Sequence, residues 1–381
     1  MATISVRHLL ALVHTVDHVC YRYRLRAFAP RLALAGWKLQ PLAVARGPWG
    51  FLRELRQAAT AEVVVLQRKL LPPWQLWLLR RVAKVLIYDF DDAVFLRDSN
   101  AGRRTTSTWR MSRFETTVRT ADVVLAGNPF LARQAMALTA ADRIHCIPTC
   151  IEPELYPAAL HRRRGPEVRL AWIGSHSTVS SLEMAHPCLL AAVGRMPGLR
   201  LKVICDRFPV LPGIEVIQNK WSSDTEAQEL ADTDIGISWL PDHPWSLGKC
   251  GLKVLQYMAA GLPVVANPVG IHEKLIRHGQ TGFLATSPEA WAEAIQRLAD
   301  SPKLRRQMGQ AARQAVREHY HLEDWSEQWI SLLNRLAPPV GRDLEFGIPN
   351  SEVGASESCP RQRCVPYSAS RVDDLHGSTR P

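Results

Sequence analysis

Ten short apolar, mostly β-branched or leucine-rich runs recur along this chain, separated by segments with the spacing of amphipathic helices. The runs cover residues 9–13, 63–66, 85–88, 123–126 and 144–147 in the first half, and 170–173, 201–204, 214–217, 235–239 and 264–266 in the second. Runs that are apolar throughout belong to strands buried on both faces. Strands separated by helices build βαβ units and parallel sheets. A chain of 381 residues is long enough for about two such domains. The pattern breaks near the middle at HRRRGP, residues 161–166, the best candidate linker. The expected fold class is α/β, with two Rossmann-like domains whose parallel sheets face each other across a cleft. After residue 287 the chain turns helical over 288–299, 303–318 and 322–336. Beyond 338 it becomes rich in Ser, Pro, Arg and Gly with few aliphatic residues, which predicts a disordered tail.

Composition narrows the function classes. The charged and hydrophobic fractions, 22% and 46%, are those of an ordinary globular protein. No apolar run reaches the roughly 18 residues of a membrane-spanning helix, and the first twenty residues lack the layout of a signal peptide. The eight cysteines form no CxxC pair and no zinc spacing, so most are expected to be small buried residues in a reducing cytoplasm. A net charge of +11 suits nucleic acid, anionic lipid or phosphorylated small molecules. No nucleic-acid-binding motif accompanies it, so nucleic acid is not an expected partner.

The densest chemistry lies in GKCGLKVLQYMAAGLPVVANPVG, residues 248–270. It reads as a helix over 251–260, a glycine stop at Gly261 and a buried strand. Lys249 and Lys253 fall before and within the first helical turn, where backbone N–H groups already favour an anion. In the second-domain loop Gly174-Ser175-His176-Ser177-Thr178, glycine permits close approach of a phosphate, while Ser and Thr either donate to it or cap the next helix. Asp89, Asp91 and Asp92 follow an apolar strand directly. Such carboxylates position a sugar hydroxyl, cap a helix or hold a metal, in that order of preference here; their crowding also predicts one raised pKa and hence a general base. Arg22 and Arg24 stand at the first strand–helix junction, where arginine suits bidentate phosphate contact. In PPWQLWLLRRVAKV, residues 72–85, Trp74 and Trp77 beside Arg80, Arg81 and Lys84 suit either a membrane surface or a core helix with basic ends.

Taken in order, AWIGSHST, DIGISWLPD, GKCGLKVLQYMAAGLPVVANPVG, HGQTGFLA and EHYHLEDW, preceded by YRYRL, YDFDDAVF, ADVVLAGNPFLARQA and IPTCIEP, resemble the family-4 glycosyltransferases (glycosyl transferases group 1), which have the GT-B fold. The resemblance implies an acceptor domain over 1–160, a linker over 161–166, a nucleotide-sugar donor domain over 167–322, a helix over 323–337 that packs back on the first domain, and the tail over 338–381. It implies a glycosyltransferase in polysaccharide or glycoconjugate assembly, retaining and without cofactor or metal. Its partners would be a nucleotide-sugar and a glycan or lipid-linked acceptor. It would be cytoplasmic, and the helix over 72–85, if not a core helix, would give it peripheral contact to an anionic membrane on the inner face. The alternatives are a non-catalytic sugar-nucleotide- or glycan-binding subunit and a GT-B sugar-nucleotide epimerase. Gly174, Ser175, Lys249, Lys253 and Gln256 are the expected donor residues, Asp89, Asp91 and Asp92 the catalytic candidates, and Arg22 and Arg24 the acceptor or phosphate side of the cleft. In that family two glutamates eight positions apart precede the AAG turn; Gly248 and Gln256 stand there in this chain. Gln256 keeps the capacity to bind ribose hydroxyls as a neutral group.

Overall fold

The first sheet contains β1 (Arg7–Val13), β2 (Trp37–Ala43), β3 (Val63–Gln67), β4 (Leu86–Phe90), β5 (Val123–Ala126) and β6 (Ile144–Cys146), in the order β2-β1-β3-β4-β5-β6. The second contains β7 (Arg169–Ile173), β8 (Arg200–Cys205), β9 (Glu215–Lys220), β10 (Ile235–Ser238), β11 (Val264–Ala266) and β12 (Gly282–Leu284), in the order β12-β11-β10-β7-β8-β9. Every pairing in both is parallel. The computed structural model describes residues 6–44, 47–97 and 105–338, so the expected tail lies outside it apart from Pro338.

Parallel sheets need cover on both faces, and alternate residues of β1 show how it is supplied. Leu10 and Leu12 face Ala58, Leu76, Leu79 and Phe114 from the helices Pro48–Thr60, Pro73–Val82 and Thr108–Thr120. Leu9, Ala11 and Val13 face Phe28, Leu32 and the last helix, Leu322–Leu336, through Trp329, Leu332 and Leu333. Asn334 Oδ1 fixes that helix by accepting from Arg7 Nη2 at 2.7 Å and Trp37 Nε1 at 3.2 Å.

Ligands of open α/β sheets gather beyond the strand carboxyl ends, where neighbouring crossovers leave in opposite directions. Those points fall between β1 and β3 in the first sheet and between β7 and β10 in the second. The chain joining the sheets is pinned rather than free. His161 is buried, with its Nε2 2.9 Å from the Gly261 carbonyl, and Arg163 bridges Asp232 at 2.6 Å and Asp234 at 3.2 Å.

Candidate active site

The helix Leu252–Ala259 organises the second-domain side. Its N-cap, Gly251, has φ 74°, and a Cβ there would lie 2.3 Å from Leu275 Cδ1. At its other end Gly261 has φ 70°. The Gly261 N–H bonds Met258 O at 3.0 Å and the Leu262 N–H bonds Tyr257 O at 2.9 Å, the two bonds of a Schellman motif. Tyr257 keys the helix to the sheet. Its hydroxyl accepts from the Ile173 N–H at 3.0 Å, and its ring covers Gly236 so closely that a Cβ would sit 2.4 Å away.

This packing sets Lys253 at the carboxyl ends of β7 and β10. Its Nζ stands 4.2 Å from the centre of the Trp172 ring and, among the described residues, has no carboxylate partner. Burial, with the nearby Lys249 charge second, pulls its pKa down to about 7. The Gly174 backbone lies against the same ring: a Cβ there would be 2.5 Å from Trp172 Cη2 and 2.6 Å from Thr178 Oγ1. Ser175 is exposed in the following turn, its hydroxyl 2.8 Å from that of Ser177. Gly174, Ser175 and Lys253 therefore share one corner.

On the first-domain side the expected residues divide. Asp89 is fully buried; Arg24 donates to both its oxygens, with Nε at 3.1 and 3.3 Å, and Gln67 Nε2 donates at 3.1 Å. Arg24 is equally buried and also donates to Ile147 O at 2.5 Å. These two expected ligands are thus each other's partner inside the domain. Asp91 and Asp92 lie on either side of Arg68, at 3.4 and 3.1 Å. Burial acts to raise the Asp91 carboxyl, but Arg68 and Arg24 hold it below its ordinary value. At Asp91 the shift is opposite to the raised pKa expected from crowding, because arginine charge outweighs burial. The three aspartates do not converge, and no group of three His, Cys, Asp or Glu among the described residues could hold a metal ion.

The two halves meet around the segment 245–250. Lys249 Nζ reaches Asp92 Oδ2 at 2.9 Å and lies 3.4 Å from the centre of the Trp245 ring. Asn128 caps the helix Pro129–Met136 through Oδ1, while its Nδ2 donates to Leu247 O at 3.1 Å and Lys249 O at 2.9 Å. Cys250 Sγ donates to Asp91 O at 3.2 Å, and a Cβ on Gly248 would fall 2.5 Å from Ala93 N. A second contact is a buried polar chain. Gln256 Nε2 donates to the hydroxyls of Tyr23, at 3.1 Å, and Tyr156, at 3.3 Å. Tyr23 in turn donates to Glu226 Oε1 at 2.9 Å. Arg22 at 2.8 Å and Trp221 Nε1 at 2.8 Å complete the shell around Glu226. Sequence reading misses Arg68, Asn128, Tyr23, Tyr156 and Glu226. Only Asn128 had a local signal, as an N-cap before Pro129.

Residues 235–315 match the family model described as glycosyl transferases group 1. Among curated proteins, the D-inositol 3-phosphate glycosyltransferase of Pseudarthrobacter chlorophenolicus is 45% identical over 101 residues, 26% of this chain and 23% of that one. The GDP-Man:Man(3)GlcNAc(2)-PP-Dol alpha-1,2-mannosyltransferase of Dictyostelium discoideum is 29% identical over 116 residues, 30% of this chain and 22% of that one. These matches span less than a quarter of each relative's length. Likeness of fold runs further. A sucrose-phosphate synthase from Thermosynechococcus elongatus superposes with TM-score 0.69 at 16% identity, covering 87% of this chain and 99% of that one. The Anabaena protein HepE, solved with UDP and glucose, gives 0.65 at 13%, covering 86% and 100%. The fold is GT-B, and the resemblance to group 1 glycosyltransferases read from the sequence holds over the matched segment.

Proposed function

We propose that this chain is a glycosyltransferase that moves a sugar from a nucleotide-sugar to a glycan or lipid-linked acceptor, with retention and without a divalent metal. The observation that carries the reading is the Lys253 ammonium, held on the Trp172 face at a strand switch point with, among the described residues, no carboxylate to neutralise it. Negative charge grows on a diphosphate as the bond to the sugar breaks, and preorganised cations and N–H groups aimed at it lower the barrier. Lys253 and the first turn of its helix supply that environment, and Gly174 lets a phosphate approach the backbone. Ser175 adds a hydroxyl, and Lys249, itself bonded to Asp92, adds a second cation near Lys253.

Asp91, held ionised beside Arg68, suits orienting an acceptor hydroxyl rather than taking its proton. In the retaining mechanism proposed here the leaving phosphate itself takes that proton, so no protein base is required. The names of the matched relatives and the UDP and glucose bound by a neighbour of the same fold favour this donor class. One observation favours a subunit that binds sugar-nucleotides without transfer: Gly248 puts no carboxylate beside the donor. Thermal shifts with UDP, GDP, ADP and CMP, with and without magnesium, identify the nucleotide by mass action. Release or transfer of labelled sugar from its conjugate then separates the two readings. Binding with neither release nor transfer sinks the enzyme reading, and no shift with any nucleotide sinks the donor site.

A further inference from the structure

Twelve tryptophans occur in the chain. Four of the most exposed, Trp49, Trp74, Trp77 and Trp109, at 83%, 57%, 55% and 56% exposure, sit on three neighbouring helices of the first domain. The helices Pro48–Thr60, Pro73–Val82 and Thr108–Thr120 follow β2, β3 and β4 and cover one face of the sheet. Each runs back along the sheet, so each begins at the edge formed by the strand carboxyl ends. Trp49, Trp74 and Trp109 are each the second residue of their helix, which brings all three to that one edge. Trp74 packs edge-on against Phe51 at 5.6 Å, joining two of the helices. Trp77 lies nearly one turn further along its helix, and Leu52 adds an exposed apolar side chain.

The charge on these helices has one sign. They carry seven arginines and two glutamates; Glu54 is buried and Glu115 is paired with Arg119 at 3.3 Å. Arg81 stacks 4.6 Å from the Trp77 ring and Arg113 3.9 Å from the Trp109 ring. Indole rings with an apolar body and one N–H favour the boundary between hydrocarbon and headgroups. Arginines held on those rings meet lipid phosphates at the same depth.

We propose that this tryptophan–arginine rim docks the first domain on an anionic lipid bilayer. Arg68, Asp91 and Asp92 follow β3 and β4 at the same edge, so docking sets the acceptor half of the cleft at the membrane surface. That consequence for a lipid-linked acceptor rests on the proposed function; the docking itself does not.

The test is flotation of the full chain with phosphatidylcholine vesicles, with and without about 30% phosphatidylglycerol, at low and high salt. The expected result is binding to the anionic vesicles, weakened by salt, with indole fluorescence quenched by brominated lipid. Trp49→Gln, Trp74→Gln and Trp109→Gln together should weaken binding by at least about tenfold while the variant still unfolds cooperatively and its nucleotide response stays unchanged. Arg81→Gln with Arg113→Gln should reduce the dependence on anionic lipid. No binding to anionic vesicles, or unchanged binding by the folded triple variant, overturns the proposal. So does self-association that the triple substitution abolishes when vesicle binding is absent, since a second copy would then cover the rim. A chain that floats but answers no nucleotide refutes the transfer reading and leaves docking standing.

Discussion

Replacing Lys253 with methionine removes the charge while keeping length and apolar contact with Trp172. With its free pKa at about 7, roughly half of the lysines are uncharged at neutral pH. A diphosphate beside it favours the ammonium and returns the value toward the ordinary 10.5. The sign follows directly. The group is raised on binding, so binding takes up a proton; affinity is greatest below the free value and falls as pH rises through 7 until the bound value is reached. Between about pH 7 and pH 9 the linkage weakens binding about fiftyfold, or ~2 kcal/mol. The second ionisation of a phosphate lies near 6, so the ligand itself stays fully charged in this window. Isothermal titration of the nucleoside diphosphate that binds, at three pH values and in buffers of different ionisation enthalpy, reads both affinity and proton uptake. Lys253→Met should bind weakly with no pH dependence, and Lys253→Arg more tightly with none. A wild-type affinity flat from about pH 7 to 9, or a methionine variant falling in parallel with wild type, refutes the assignment of Lys253 to the diphosphate.

Three other substitutions probe two domain contacts and one buried ion pair. Gly248→Ala places a Cβ 2.5 Å from Ala93 N; a misfit of ~1–3 kcal/mol forces the loop back. Turnover should drop at least about tenfold while nucleotide affinity holds within about threefold, and wild-type turnover would show that the close approach is dispensable. Asp89→Ala leaves the Arg24 guanidinium buried without its counter-charge, so urea unfolding should register a loss of ~3–5 kcal/mol. Nucleotide affinity of the folded fraction should not change, and a selective loss of affinity would return Asp89 to the ligand site. Asn128→Ala removes a helix cap worth ~1 kcal/mol along with two donors to the opposite domain. A lowered melting temperature with reduced turnover is expected, whereas a change in melting temperature alone would make Asn128 a cap only.

Eight of the ten strands that sequence reading finds are interior to a sheet, such as β3, which is buried throughout; the other two, β6 and β9, are edge strands that keep short apolar stretches. Period and composition suffice there. The two it misses lie at sheet edges: β2 is half-exposed and carries Pro41, and β12 has only three residues beginning with Gly282. Edge strands tolerate proline and glycine and lose the apolar signal. Gly261 was legible because the left-handed stop after a helix is a local property. Arg24 and Asp89 were misplaced for the opposite reason. A polar side chain beyond a strand looks the same in sequence whether it turns into the cleft or into the domain, and only the partner across 65 positions decides it.

Gly248 and Gln256, where the resembled family carries glutamates, have a shared physical cause. Both lie on the second domain's face against the first domain. At 248 the backbone of Ala93 occupies the space a side chain needs, and the carboxylate nearest this loop comes instead from Asp92, bonded to Lys249. At 256 the side chain donates to the hydroxyls of Tyr23 and Tyr156, and Tyr23 donates in turn to buried Glu226. A glutamate there would set two carboxylates on one tyrosine in a desolvated site, which raises a pKa or breaks the chain; a glutamine donates and carries no charge. Each departure therefore keeps the domains in close contact while moving the negative charge to a neighbour, Asp92 in one case and Glu226 in the other. On this argument Gln256→Glu should loosen the domain contact in wild type and be tolerated better with Glu226→Gln. A double-mutant cycle on stability that finds the two changes additive would break the link between them.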